Sequence, residues 1–136
     1  MRQVLVIVVY DRYDNIVRWI NNWKLCDQHG LEMVDIHNDN GESEKFKKLC
    51  DENGITYIRR DNVGYDIGAF QDVCMERLEG FNDYWGQMLW CTDDILPIRK
   101  NFISDFLVRY FDNTLPCMEI SKEVRLHIRT TAFLIS

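Results

Sequence analysis

The first regular feature of the chain is an unbroken apolar run, Val4 to Val9, mostly β-branched and closing on Tyr10. A run this short cannot fill a core as a helix, and apolar residues at successive positions mark a strand covered on both faces, as in a parallel sheet. From Asp14 to Gln28 the spacing changes. Ile16, Val17, Ile20, Trp23 and Leu25 recur at near-helical intervals, with Asp11 or Asp14 available as cap and Gly30 as stop. The alternation then repeats. Leu31 to His37 reads as a second strand, Asn38-Asp39-Asn40-Gly41 as turn chemistry, and Ser43 to Glu52 as a helix with Phe46, Leu49 and Cys50 on one face, stopped by Asn53-Gly54. Ile55 to Ile58 predicts a third strand and Arg59 to Tyr65 a loop. Asp66 to Leu78 predicts a helix with Ile67, Phe70, Val73, Cys74 and Leu78 facing inward. Gln87 to Cys91 follows as a fourth strand ending at Thr92-Asp93-Asp94, and Asn101 to Phe111 as a fourth helix.

Strands alternating with helices through short loops predict an α/β fold: a three-layer α/β/α sandwich around a mostly parallel sheet, with right-handed crossovers. The tail breaks the rhythm. Pro116–Ile120, Val124–Ile128 and Thr130–Ile135 read as short antiparallel strands at a sheet edge. No linker, internal repeat or charge block divides residues 1–136, so a single domain is expected.

Composition narrows the partners. Sixteen Lys and Arg against 22 Asp and Glu leave a formal charge of −6, which argues against a nucleic-acid coat or an anionic-membrane binder while leaving room for a local basic pocket. The Val4–Val9 run is far short of the roughly 20 residues that span a bilayer and lacks the flanks of a secretory signal, so no transmembrane segment and a cytoplasmic location are expected. The five cysteines, Cys26, Cys50, Cys74, Cys91 and Cys117, include no C-x-x-C pair and read as reduced, mostly buried thiols.

In an open α/β sheet, ligands bind beyond the carboxyl ends of the strands. Here those ends carry Tyr10-Asp11, Asn38 to Gly41, Arg59 to Asp66 and Thr92-Asp93-Asp94. The stretch Asn62-Val63-Gly64-Tyr65-Asp66-Ile67-Gly68-Ala69-Phe70 places two glycines at a helix mouth, where free amides attract anions and the backbone can approach a ligand closely. Equally, it reads as a tight turn with Asp66 as helix cap and Gly68 as packing contact. Adjacent Asp93 and Asp94 repel one another unless a cation or donors compensate, and hard oxygen ligands of this kind suit Mg²⁺ or Mn²⁺; an exposed acidic turn is the alternative. His29 and His37 read as surface or strand-end histidines. The four tryptophans, Trp19, Trp23, Trp85 and Trp90, read as core, although Trp85 in the Gly80–Gly86 loop is placed to stack on a sugar.

Together the Asn-x-Gly-x-Asp-x-Gly-x-Phe segment, Asn62 to Phe70, and the hydrophobic strand ending in Asp93-Asp94 with Pro97 shortly after resemble the nucleotide-sugar glycosyltransferases of GT-A fold, most closely the rhamnan-synthesis F type. The opening strand to Tyr10-Asp11 and the turn Asn38 to Gly41 are similar to the nucleotide-binding half of such enzymes, and the likeness runs over about residues 3–111. It implies a Rossmann-like GT-A domain in which Tyr10, Asp11 and Asp39 meet the nucleotide, and Asn62, Gly64 and Asp66 face nucleotide or sugar. It implies Asp94 as the metal carboxylate, with Asp93 on ribose, sugar or the metal. Thr92 stands where a strict Asp-x-Asp would carry its first acid. The tail from His127 to Phe133 is weakly similar to a segment that follows the metal motif.

The resemblance implies transfer of a sugar from a nucleotide-diphosphate donor to a saccharide acceptor in polysaccharide or glycan synthesis. A divalent Mn²⁺ or Mg²⁺ would act as Lewis acid on the departing diphosphate, assisted electrostatically by Arg59 or Arg60. No residue stands out as general base; His127, near Arg125 and Arg129, is the single weak candidate. Only 42 residues follow Asp94 (136 − 94), few for the acceptor side. The alternative is a non-catalytic nucleotide-sugar-binding module or a degenerate glycosyltransferase fragment of the same fold. A phosphoacceptor receiver domain fits poorly, because its acidic pair would follow the first strand rather than the fourth.

Overall fold

The computed structural model describes residues 2–81, 85–104, 118–120, 126–128 and 132–135. β1 (Arg2–Tyr10), β2 (Glu32–Asp39), β3 (Thr56–Asp61) and β4 (Trp85–Thr92) are separated in sequence by α1 (Tyr13–Trp23), α2 (Ser43–Glu52) and α3 (Tyr65–Cys74). The four strands form a parallel sheet in the order β3-β2-β1-β4. β7 (Ala132–Ile135) adds antiparallel to β4, while β5 (Met118–Ile120) and β6 (Leu126–Ile128) form a separate antiparallel pair. The α/β, mainly parallel architecture with short antiparallel strands near the C-terminus is the one predicted.

Its two cores follow from strand periodicity. Leu5, Ile7 and Val9 of β1 pack with Met33, Leu89 and Cys91 under Ile16, Trp19, Ile20 and Trp23 of α1 and Phe46 and Cys50 of α2. On the other face, Val4, Val6 and Val8 pack with Val34, Ile36, Ile58, Met88 and Trp90 under Ala69 and Val73 of α3. Helices therefore cover both faces, which makes the three layers. From β1 the chain moves outward to β2 and β3, then returns across β1 to β4, so the strand order reverses between β1 and β4. That switch point opens a crevice at the carboxyl ends.

Several boundaries differ from the periodicity. β2 continues through Asn38 and Asp39, and β3 through Arg59, Arg60 and Asp61, because ladder partners on the neighbouring strand carry them on. α1 starts after Arg12 with no side-chain cap; Asp14 lies inside its first turn, and Leu25 is exposed beyond its end. α3 starts at Tyr65 behind Gly64 and stops at Cys74, so Ile67 and Cys74 face solvent and Leu78 is buried from the following turn. Cys50 and Cys91 are buried, Cys26 is partly covered and Cys74 exposed, which corrects the expectation of mostly buried thiols for half of the four described. Residues 102–104 are helical, as expected there; the remainder of the predicted fourth helix, Cys117 and the side chains of Trp85 and His127 lie outside what the structure describes. No helix among the described residues is long and apolar enough to cross a membrane.

Phe46 anchors α2 on the sheet: it is fully buried and its ring lies 5.5 Å from Tyr13 and 4.2 Å from His37. Phe46→Ala should cost about 3–5 kcal/mol in urea unfolding, since it leaves a cavity against two elements.

Candidate functional site

Three strand ends meet at the crevice. β1 ends at Tyr10, whose backbone N–H donates to the Asp93 carboxylate at 3.4 Å, and the Asp93 N–H donates to the Val8 carbonyl at 3.1 Å. The acidic pair is thereby tied to the end of β1. Asp93 is buried and Asp94 exposed. Burial, with a contribution from Asp94, pushes the Asp93 carboxyl up to about 6, against the Tyr10 N–H and Arg12. The Thr92 hydroxyl donates to Asp94 Oδ1. Thr92 brings no charge of its own, but it orients the carboxylate that does.

Beside them, Asp39 at the end of β2 accepts from the Gly41 N–H at 2.9 Å and from Arg59 at 2.7 Å, and these contacts hold it below the ordinary carboxylate range. Tyr10, 38% exposed, presents its ring at the rim and accepts from Asn40 at 3.2 Å. His37 is not the surface histidine that its sequence position suggests. It stands near the end of β2 but is fully buried, because β2 is covered on both faces. Its ring lies tilted against Phe46, 4.2 Å between centroids, and Tyr57, 5.6 Å, and Nε2 lies 3.1 Å from Asp11. Burial lowers its pKa despite the pull of Asp11, so the imidazole is neutral near pH 7. Asp11, His37 and Asp39 bring donor atoms within 4.8 Å of one another. That trio carries no signal in the sequence, since the link from His37 and Asp39 to Asp11 forms only once β1 and β2 pair.

The glycine segment forms the next edge. Gly64 (φ +73°) precedes α3 and Tyr65 (φ +54°) follows it in the same left-handed region, a conformation that disfavours a side chain at the first position. The Gly68 N–H donates to the Gly64 carbonyl at 2.7 Å, and a Cβ on Gly68 would stand 2.1 Å from the Val63 carbonyl oxygen. Gly68 is thus a packing contact, as one of the two sequence readings held. Asp66 is not the helix cap; it lies in the first turn, where its carboxylate accepts from the Ile67 N–H at 3.0 Å. Asn62 Oδ1 is enclosed without a hydrogen-bond donor. Arg60 and Arg59, adjacent on β3, point to opposite faces: Arg60 is buried, while Arg59 is about half exposed and reaches Asp39 and Asp61. A groove of about 540 Å³ runs along β3 and past the end of α3, between Arg59, Asp61, Asp72 and Arg77. Its lining includes neither Tyr10, Asp11 nor Asp93.

No protein-family model matches the chain, and no curated protein does. Solved structures do. A mannosyltransferase, PcManGT from Pyrobaculum calidifontis, in complex with GDP-Man and Mn²⁺, aligns over 85% of this chain with TM-score 0.64 at 12% identity. Staphylococcus aureus TarS 1-349 in complex with UDP-GlcNAc aligns over 84% with TM-score 0.59 at 12% identity. The chain shares the α/β fold of these glycosyltransferase structures. The chain spans about a third of those two structures, 34% and 32%. A cytidylyltransferase from Leptospira borgpetersenii shares the architecture, with TM-score 0.62 at 11% identity over all of this chain and 60% of its own.

Beneath the rim, the fully buried Asp35 accepts from the Cys50 thiol at 3.3 Å and keeps its other oxygen without a partner. Burial pushes its carboxyl up to about 8. Between the ordinary carboxylate pKa and that value, the folded chain holds a proton that the unfolded chain has released, so stability falls as pH rises through this window. Urea unfolding of Asp35→Asn should show a flatter dependence from about pH 4 to about pH 8 than the parent, with the larger gain at the alkaline end. Gly68→Ala should cost about 1–3 kcal/mol in the same assay, since the Val63 carbonyl must move aside.

Proposed function

We propose that this chain is the nucleotide-sugar-binding domain, over residues 1–136, of a GT-A glycosyltransferase of the rhamnan-synthesis F type. It would act in the cytoplasm on a nucleotide-diphosphate sugar and a saccharide acceptor in polysaccharide synthesis. The observation that carries this reading is the hydrogen bond that ties Asp93, next to Asp94 in the chain, to Tyr10 at the β1/β4 switch point, on the same rim as the end of β2 at Asp39. Two neighbours of the same fold were captured with GDP-Man and UDP-GlcNAc, which supports a nucleotide sugar as the donor class.

The residues divide the work by chemistry. Tyr10 offers a ring face to a nucleobase, and Asp39 and Asp11 offer carboxylate acceptors beside it. The exposed backbone at Gly64 and the Asp66 carboxylate face the ribose or sugar, with Asn62 beside them, its Oδ1 enclosed. A divalent ion fits Asp94 and Asp93: burial and the neighbouring acid already raise the Asp93 pKa, and a cation would relieve that repulsion. Bound there, Mn²⁺ or Mg²⁺ supplies charge stabilisation for the departing diphosphate. The trio Asp11, His37 and Asp39 is the poorer host, since Arg59 already lies 2.6 Å from Asp39 and neutralises it. Arg59, half exposed on the rim, adds positive charge near the phosphates.

A second reading, nucleotidyl transfer, draws on the cytidylyltransferase that shares the fold. Calorimetric titration with UDP, GDP, dTDP, CDP and CTP, each with Mn²⁺ and with chelator, separates the two from each other and from a bare scaffold. The expected result is metal-dependent binding of one diphosphate, lost in Asp94→Asn with the fold intact. Tight binding of CTP with no diphosphate bound would favour nucleotidyl transfer. Unchanged metal dependence in Asp94→Asn would remove the ion from the acidic pair. Release of free sugar or its transfer to a saccharide then distinguishes an enzyme from a binding module.

A further inference from the structure

Arg60 sits at the heart of the glycine loop yet is almost wholly buried, at 7% exposure. All of its nitrogens are committed inside the protein. Nε donates to Asp72 Oδ2 at 3.0 Å and one terminal nitrogen lies 2.9 Å from the same oxygen while donating to the Val63 carbonyl at 2.8 Å. The other terminal nitrogen donates to Asn38 Oδ1 and, at 3.4 Å, to the Tyr65 carbonyl. One guanidinium thus joins the end of β2, the loop on both sides of Gly64, and α3. The charge is balanced by Asp72, which also faces Arg77 at 3.7 Å.

The loop needs such a clamp. Gly64 adopts the left-handed region freely, but Tyr65 directly after it is held there with a side chain, a costly conformation that persists only where surrounding contacts over-determine it. Arg60 grips a carbonyl on each side of Gly64. Gly68 has room for no Cβ because Val63 lies against it, and that Cβ would also come within 3.2 Å of Arg60. The guanidinium, the missing Cβ and the left-handed pair are one interlocked unit.

From this we infer that Arg60 is a positioning residue of the donor loop: its guanidinium holds residues 62–68 in the shape that meets the ligand and does not itself touch phosphate. The inference rests on the reading that this loop lines the nucleotide-sugar site, and it reassigns Arg60 from the ligand's electrostatic partner to the loop's internal support. Arg59 remains the arginine of the rim. Lysine cannot replace a planar fork that serves four partners at once, so even the charge-conserving change breaks the clamp.

The test compares Arg60→Lys, Asp72→Asn and Arg59→Gln with the parent chain. Amide hydrogen exchange without ligand should rise about tenfold or more across residues 63–68 in Arg60→Lys, less in Asp72→Asn, with β1 and β2 still protected. In calorimetry with Mn²⁺ and the diphosphate that the parent binds, Arg60→Lys should lose about tenfold in affinity and keep the parent's ionic-strength dependence. Arg59→Gln should instead flatten that dependence and leave exchange in the loop unchanged. Unaltered exchange at residues 63–68 in Arg60→Lys overturns the inference, and so does a flattened ionic-strength dependence in that variant. If the parent binds no diphosphate, the donor reading itself falls, and the inference about the ligand falls with it; the exchange measurement then still tells whether Arg60 holds the loop.

Discussion

Everything at the rim depends on β1 being buried on both faces. Each side chain from Val4 to Val9 is at most 3% exposed, so neither face of the strand can be left to water. Burying a Val, Leu or Ile side chain contributes about 1.5–3 kcal/mol, against about 1–2 kcal/mol for ordering the backbone of the residue that carries it. The gain is realised only if helices cover both sides, and α1 with α2 on one face and α3 on the other do so. With the interior of the strand committed to packing, polar chemistry is driven to its carboxyl end. There the switch in strand order leaves room between β1 and β4, and Tyr10 meets Asp93.

β2 shows what this arrangement costs. Asp35, His37 and Asp39 alternate along one face, and the first two are fully buried while the third reaches the rim. A charge at either buried position is expensive, and each residue responds by favouring its neutral form: the Asp35 carboxyl is raised to about 8 and the imidazole of His37 is lowered. Only Asp39, at the mouth, keeps its charge, because the Gly41 N–H and the Arg59 guanidinium meet it there. The strand thus grades from neutral to ionic within five residues, which keeps the charged end where a polar ligand can reach it.

What the amino-acid order revealed follows the same physics. The β-branched run, the turn residues after β2 and the acidic pair after β4 are local signals, and they located the strand ends and hence the rim. Longer-range facts were hidden. Asn38, Asp39, Arg59, Arg60 and Asp61 read as loop residues by polarity, yet they are strand because neighbouring strands pair with them. The inward face of α3 differs from its periodicity at Ile67 and Cys74 because the helix begins at Tyr65 and ends at Cys74, and its mixed pattern of small and apolar residues says little about which side packs. His37 beside Asp11 became visible only when β1 and β2 came together.

The extension of β3 settles the fate of two identical neighbours. In a loop, Arg59 and Arg60 would be interchangeable sources of positive charge; in a strand, successive side chains point to opposite faces. Arg59 stands opposite His37 in the ladder and emerges on the side of Asp39, half in water. Arg60 stands opposite Asn38 and turns under α3, where Asp72 and the carbonyls of Val63 and Tyr65 enclose it. A one-residue shift of register would exchange these environments, turning Arg59 under α3 and Arg60 out toward Asp39. The division between an arginine that faces outward and one that shapes the loop is therefore a property of the β2–β3 pairing, and the charge available at the rim is set by that pairing before any ligand arrives.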